Sequence, residues 1–160
     1  MRWGFYLAAC AATALAATAY AANVQISLAT NASFAIYAGA ADGTNLALQS
    51  TGNLPASAGT PTPEKFSFEM EDDSYLYIVA WGDPRLARGL LAEFVFNGLV
   101  VLGGDPAWEV CPATLDVADG PPSPSAVAVC IRQANRRFAW VQAASLQLNR
   151  SDGAAAVAEI

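Results

Sequence analysis

Hydrophobic positions along this chain recur mostly with a period of two. Lys65-Phe66-Ser67-Phe68-Glu69-Met70 alternates polar and apolar side chains, which predicts a strand with Phe66, Phe68 and Met70 on a core face and the others in water. From Tyr75 to Trp81 both alternating sets are apolar, with Tyr75, Tyr77, Val79 and Trp81 on one side and Leu76, Ile78 and Ala80 on the other. That is the pattern of a central strand held between two layers. Leu91 to Phe96 and Leu99 to Leu102 flank Asn97-Gly98, and Asn-Gly between apolar runs predicts a hairpin because both residues tolerate positive φ. Val24 to Ala29, Ser33 to Ala38, Trp108 to Val117 and Ala126 to Ile131 are further strand candidates, separated by turn clusters such as Asp42-Gly43-Thr44-Asn45. Strands spaced about ten residues apart point to an all-β fold, an antiparallel β-sandwich.

Other segments follow different patterns. Leu54 to Pro63 is a Pro, Gly, Ser and Thr loop, and Pro84 to Leu90 reads as a loop over a sheet edge, with one helical turn capped by Asp83 as the alternative. Arg136 to Leu148 fits two templates. Phe138, Trp140, Ala144, Leu146 and Leu148 share one strand face, whereas Phe138, Val141, Ser145 and Leu148 make a weaker helical stripe; strand is the preferred reading.

Composition narrows the class. With 160 residues, 54% of them hydrophobic and 14% charged, the chain can bury one sizeable core, so a single domain is expected. A net charge of −6 with the basic residues scattered provides no stripe for a phosphate backbone or an anionic leaflet, which argues against nucleic acid and membrane-surface partners. Histidine is absent, which removes the commonest general base and metal ligand and, with it, most hydrolase constellations.

Residues 1–21 read as a cleavable export signal, with Met1-Arg2 as a basic start, an apolar stretch from Trp3 to about Ala19, and Ala19-Tyr20-Ala21 as a small-x-small cleavage site. A membrane anchor is the rival reading, and Leu7-Ala8-Ala9-Cys10 has the look of a lipoprotein box, but the stretch is Ala-rich and lacks a basic stop on its far side. Residues 22–160 then form one secreted domain, extracellular or at the cell surface and free of the membrane once the signal is cut. Cleavage removes Cys10 and leaves Cys111 and Cys130, an even pair that predicts a disulfide in an oxidising compartment. The bridge would close a loop holding Pro112, Pro121, Pro122 and Pro124 and contribute about 3 kcal/mol by the chain-entropy estimate.

Two constellations carry candidate chemistry. Glu69, Glu71, Asp72 and Asp73 place four carboxylates in five residues. Oxygen ligands of this kind suit calcium, with Glu71, Asp72 and Asp73 as the candidate ligands; the alternative is a solvated acidic turn introducing a strand. Trp81, Trp108 and Trp140 form the second, in which Trp81 beside Asp83 and Trp108 beyond Asp105 set aromatic rings next to carboxylates at strand ends. Such rings stack on the apolar face of a sugar while acids take its hydroxyls; the alternative is that each tryptophan fills the core. The sequons at Asn31 and Asn149 would accept glycans in a eukaryotic secretory pathway.

Asp72-Asp73-Ser74-Tyr75-Leu76-Tyr77-Ile78-Val79-Ala80-Trp81, then Gly89-Leu90-Leu91-Ala92-Glu93-Phe94, Asn97-Gly98 and Gly104-Asp105-Pro106-Ala107-Trp108-Glu109 resemble secreted bacterial jelly-roll domains of the galactose-binding-like, carbohydrate-binding kind. The resemblance implies a jelly-roll sandwich that binds carbohydrate in surface and matrix proteins. The expectation is therefore a secreted, non-catalytic binding module for an extracellular polysaccharide or glycan, aided by calcium. The alternative is a structural or adhesive subunit of an envelope or matrix, associating through an uncharged strand edge such as Val24 to Ala29.

Overall fold

The computed structural model describes residues 21–30, 32–52, 63–71, 73–82, 90–103, 105–106, 108–142 and 155–159. Residues 1–20 of the expected export signal, Asn31, residues 54–62 of the expected loop, Asp72, the segment 83–89 with Asp83, and residues 143–150 with Asn149 lie outside them.

Two antiparallel sheets pack face to face. One contains β1 (Ala21–Thr30), β4 (Glu64–Glu71), β6 (Leu90–Phe96) and β7 (Leu99–Leu102) in the order β4-β1-β6-β7. The other contains β2 (Ser33–Gly39), β3 (Ala47–Gly52), β5 (Tyr75–Trp81), β8 (Glu109–Ala113), β9 (Val141–Gln142) and β10 (Ala155–Glu159) in the order β3-β2-β5-β10-β8-β9. Alternation decides what lies between them. Val24, Ile26 and Leu28 of β1 meet Phe34 and Ile36 of β2 and Leu76 and Ile78 of β5, with Phe66, Phe68 and Phe94 beside them. Each such side chain contributes roughly 1.5–3 kcal/mol by leaving water. The hairpin forms as expected, with Asn97 at φ 46° and Gly98 at φ 87°.

The six-stranded sheet is covered on its second face as well, which accounts for the doubly apolar pattern of β5. Ala35, Tyr37, Tyr77, Val79, Cys111 and Ala113 face a helix, α1 (Pro124–Arg137), which presents Val127, Ile131 and Ala134 to them. This corrects the strand expected at Ala126 to Ile131. Pro124 opens the helix, Ser123 caps it by accepting the Ala126 amide at 3.2 Å, and Arg136 and Arg137 sit in its last turn, the terminal signals a helix favours. A six-residue apolar run has no period of its own, and the caps outweigh it. The strand expected from Arg136 to Leu148 is corrected in the same way. Its first two residues end α1, and only Val141–Gln142 is extended before the described residues stop. The strand expected from Trp108 to Val117 is shorter than expected, Glu109–Ala113.

Hydrogen bonds seat the helix at both ends. The Tyr37 hydroxyl donates to the Pro122 carbonyl, and Asn135 Nδ2 donates to the Ala41 carbonyl at 3.0 Å. Between them, the 42–45 turn touches the helix at Gly43 (φ 76°), where a Cβ would come within 3.1 Å of the Ala128 Cα. Thr44 donates from its hydroxyl and its amide to Asp42, which holds that carboxyl below its usual range. Among the described residues, no helix is long and apolar enough to cross a membrane.

The expected disulfide is not formed: Cys111 and Cys130 are both thiols. Cys111 lies within β8, whereas the Cys130 sulfur sits 4.0 Å from the carbonyl of Thr114, one residue past the end of that strand. Burial pushes the Cys130 thiol pKa up.

Candidate functional site

Among the described residues, those expected to hold ligand or metal do not form one cluster. Trp108 is 2% exposed; its ring lies 4.7 Å from that of Phe94, centroid to centroid, and its indole N–H donates to the Leu102 carbonyl at 3.1 Å. It is a core residue between the sheets, which corrects its expected place in a sugar site. The chain before it turns back tightly, with the Asp105 amide bonded to the Leu102 carbonyl and the Trp108 amide to the Asp105 carbonyl. That turn drives the indole inward. Asp105 is half-buried in the turn. Trp81 is half-buried at the end of β5 and packs on the helix-covered face. Glu71 and Asp73 are exposed where β4 turns into β5, with the Ser74 amide donating to the Glu71 carbonyl. Among the described residues, no three Asp, Glu, Cys or His side chains group in a way that would hold a metal ion.

Two concavities lie among the described residues. One, of about 350 Å³, lies on the outer face of the four-stranded sheet and is lined by Gln25, Ser27, Lys65, Ser67, Glu93 and Val95 with parts of Ile26 and Phe66. The cross-strand register puts Ser27 directly opposite Lys65 on one side and Glu93 on the other, so this surface is a solvated polar face.

The other concavity is a cleft of about 400 Å³ lined by Ala41, Tyr75, Glu109, Asn135, Phe138 and Trp140. That volume lies at the lower end of the range for sites holding small organic ligands. Four separate stretches of chain build it. Tyr75 opens β5, is 40% exposed, and lies 6.5 Å from the nearly parallel ring of Tyr77. Tyr77 is itself buried and donates to the Ala40 carbonyl at 2.9 Å. Glu109 opens β8, where it pairs with Gln142 of β9. Asn135 comes from the last turn of α1, and Trp140 from the link between the helix and β9.

Asn135 fixes the geometry of the floor. Its Oδ1 accepts the Trp140 indole N–H at 2.6 Å while its Nδ2 donates to Ala41. One amide therefore ties the helix end, the tryptophan and the β2–β3 turn together, and the wall of the cleft is set before any ligand arrives.

Phe138 is the anomaly. It follows α1 with φ 50° and ψ 44°, and the amide of Ala139 reaches back to the Ala134 carbonyl at 3.0 Å. This is the Schellman closure, whose left-handed position is ordinarily glycine. A phenylalanine there costs about 1 kcal/mol or more in backbone strain. Its ring recovers none of this by burial, because Phe138 is 92% exposed. Strain and exposure thus coincide at the rim of an aromatic cleft.

The sequence places Phe138 and Trp140 on one strand face and counts Trp140 among the candidate tryptophans, but the expected ligand site went to Trp81, Asp83, Asp105 and Trp108. The available signal was the Ser123-Pro124 helix start, which carried forward would have ended a helix near Phe138. Comparison with protein-family models, with curated proteins and with solved structures gives no match. The likeness to jelly-roll domains therefore rests on the sequence run alone.

Proposed function

We propose that this chain is exported and acts as a non-catalytic module that binds carbohydrate in the Tyr75, Phe138 and Trp140 cleft. The observation that carries the reading is the strained, solvent-exposed Phe138 beside two further aromatic rings. Flat apolar rings stack on the C–H face of a pyranose, while Glu109 and the fixed Asn135 amide stand beside them to take hydroxyls. Export is supported by the small-x-small site at Ala19 to Ala21, which ends where β1 begins. A binding role rather than hydrolysis is supported by the lining, in which Glu109 is the one carboxylate among the described residues; glycoside hydrolysis uses two acids across the bond.

The test is a titration of the purified protein with a panel of polysaccharides, followed by tryptophan fluorescence with calcium and with chelator. A saturable change that disappears in Phe138→Gly, with Trp140 retained as the reporter and the fold intact, supports the site. A change that survives in Phe138→Gly, or none across the panel, removes it. The second reading, a structural or adhesive subunit, is favoured by one specific observation, the uncharged open edge of β7.

A further inference from the structure

Among the described residues the two sheets end in four strand edges, and three of them are blunted. β4 carries Glu64, Lys65, Glu69 and Glu71. β3 breaks register against β2 between Ile36 and Tyr37, and β9 is two residues long. Charge, irregularity and shortness are the devices by which sheets avoid adding a further strand. β7 is four residues long but carries neither a charge nor a break in register. From Phe94 to Gly104 the sequence holds no charged residue, in a chain whose net charge is −6. Leu99, Val100 and Leu102 are 68%, 54% and 56% exposed.

The ladder shows which groups of β7 are open. Gly103 donates to the Ala92 carbonyl at 2.7 Å, so Ala92 and Gly103 form a hydrogen-bonded pair. In the antiparallel register Glu93 to Leu102, Phe94 to Val101, Val95 to Val100 and Phe96 to Leu99, pairs alternate between bonded and non-bonded. Leu99 and Val101 therefore bond to β6, while Val100 and Leu102 aim their main-chain groups away from it. The Leu102 carbonyl is occupied, since it accepts both the Asp105 amide and the Trp108 indole. Val100 keeps both its N–H and its C=O on the open side.

We propose that β7 is a homodimer contact, in which two copies pair their β7 strands antiparallel about a two-fold axis at Val100. A residue that has one donor and one acceptor on the same edge is complementary to itself: Val100 and its symmetry mate exchange two N–H···O bonds. The same register sets Leu99 across from Val101 of the partner subunit and covers the exposed leucine. A second copy fits better than a charged partner because the strip is uncharged and isologous. The contact joins the two four-stranded sheets into one of eight strands. With apolar area on the order of 400 Å² from each copy it falls in the weak, reversible class.

Sedimentation equilibrium of the purified protein, up to millimolar concentration, tests this. The expected result is a monomer–dimer equilibrium with a Kd on the order of 10⁻⁵ M. Val100→Pro removes the outward N–H and leaves the β6 ladder intact, and Val100→Lys sets like charges opposite each other across the axis. Each is expected to raise the Kd at least about tenfold, with near-ultraviolet circular dichroism unchanged. If Val100→Pro perturbs the fold, Val100→Lys decides. A protein that stays monomeric throughout, a dimer unaffected by Val100→Lys, or open-ended assembly beyond the dimer would each overturn the proposal.

Discussion

Trp108 and Trp140 make an instructive pair. Both bond their indole N–H to a neighbouring oxygen, and each has a carboxylate close by, Asp105 along the chain for Trp108 and Glu109 across the cleft for Trp140. Yet Trp108 is sealed between the sheets against Phe94, while Trp140 lines an open cleft with Tyr75 and Phe138. What separates them is the layer each one enters. The tight turn at Asp105 aims Trp108 into the space between two sheets. Trp140 leaves the end of a helix that lies outside the sheet, so its ring has packing on one side and solvent on the other. Proximity to a carboxylate along the chain, as at Asp105, does not decide whether an aromatic ring stays open to solvent; the face it enters does.

The comparison is most sharply broken at Trp108. Trp108→Ala empties the inter-sheet core and should destabilise the fold by about 3–5 kcal/mol, read by urea denaturation, with any cleft ligand still bound by the folded fraction. Trp140→Ala should do the reverse, losing ligand binding with the fold retained.

A smaller effect separates the two faces of the six-stranded sheet by pH. Burial pushes the Tyr37 phenol up to about 12. Because its folded pKa lies above the ordinary value of about 10, its contribution is complete below pH 10 and lost as pH rises toward 12. That loss amounts to about 2–3 kcal/mol by linkage, and Tyr37→Phe should flatten the alkaline arm of a stability–pH curve.

Phe138→Gly sharpens the contrast further because its two effects have opposite signs. Relief of the left-handed strain should stabilise the protein by about 1 kcal/mol, and loss of the ring should weaken ligand binding. The smallest effects belong to the acidic turn. Glu71→Gln and Asp73→Asn, both at exposed positions, should each change stability by less than about 0.5 kcal/mol and leave glycan affinity unchanged with or without calcium.

Much of the sandwich was legible beforehand. β1, β4, β5 and the β6–β7 hairpin announce themselves by strict alternation and by Asn97-Gly98, and the doubly apolar β5 correctly implied two layers around it. β3 and β10 were not legible, since Ala47-Leu48-Gln49-Ser50-Thr51-Gly52 and Ala155-Ala156-Val157-Ala158-Glu159 hold few of the β-branched and aromatic residues that mark a strand. The open edge was expected at Val24 to Ala29, but β1 is paired on both sides and the open, uncharged edge is β7. Helix α1 was misread because its apolar centre is short and Ala-rich, although Ser123-Pro124 and the paired arginines marked both ends. The cleft could not be read in advance, because Tyr75, Glu109, Asn135 and Trp140 come together only through the sheet order and the place where the helix stops.

The central claim is that an exposed, strained aromatic at the helix end is kept for a ligand. Calorimetric titration of a glycan panel against the wild-type protein and Phe138→Gly, with the melting temperature of each, tests it most directly. The account predicts saturable binding to at least one glycan, weakened about tenfold or more in Phe138→Gly while the variant melts at a higher temperature. Equal affinity in the two proteins, or no binding by either, would contradict it.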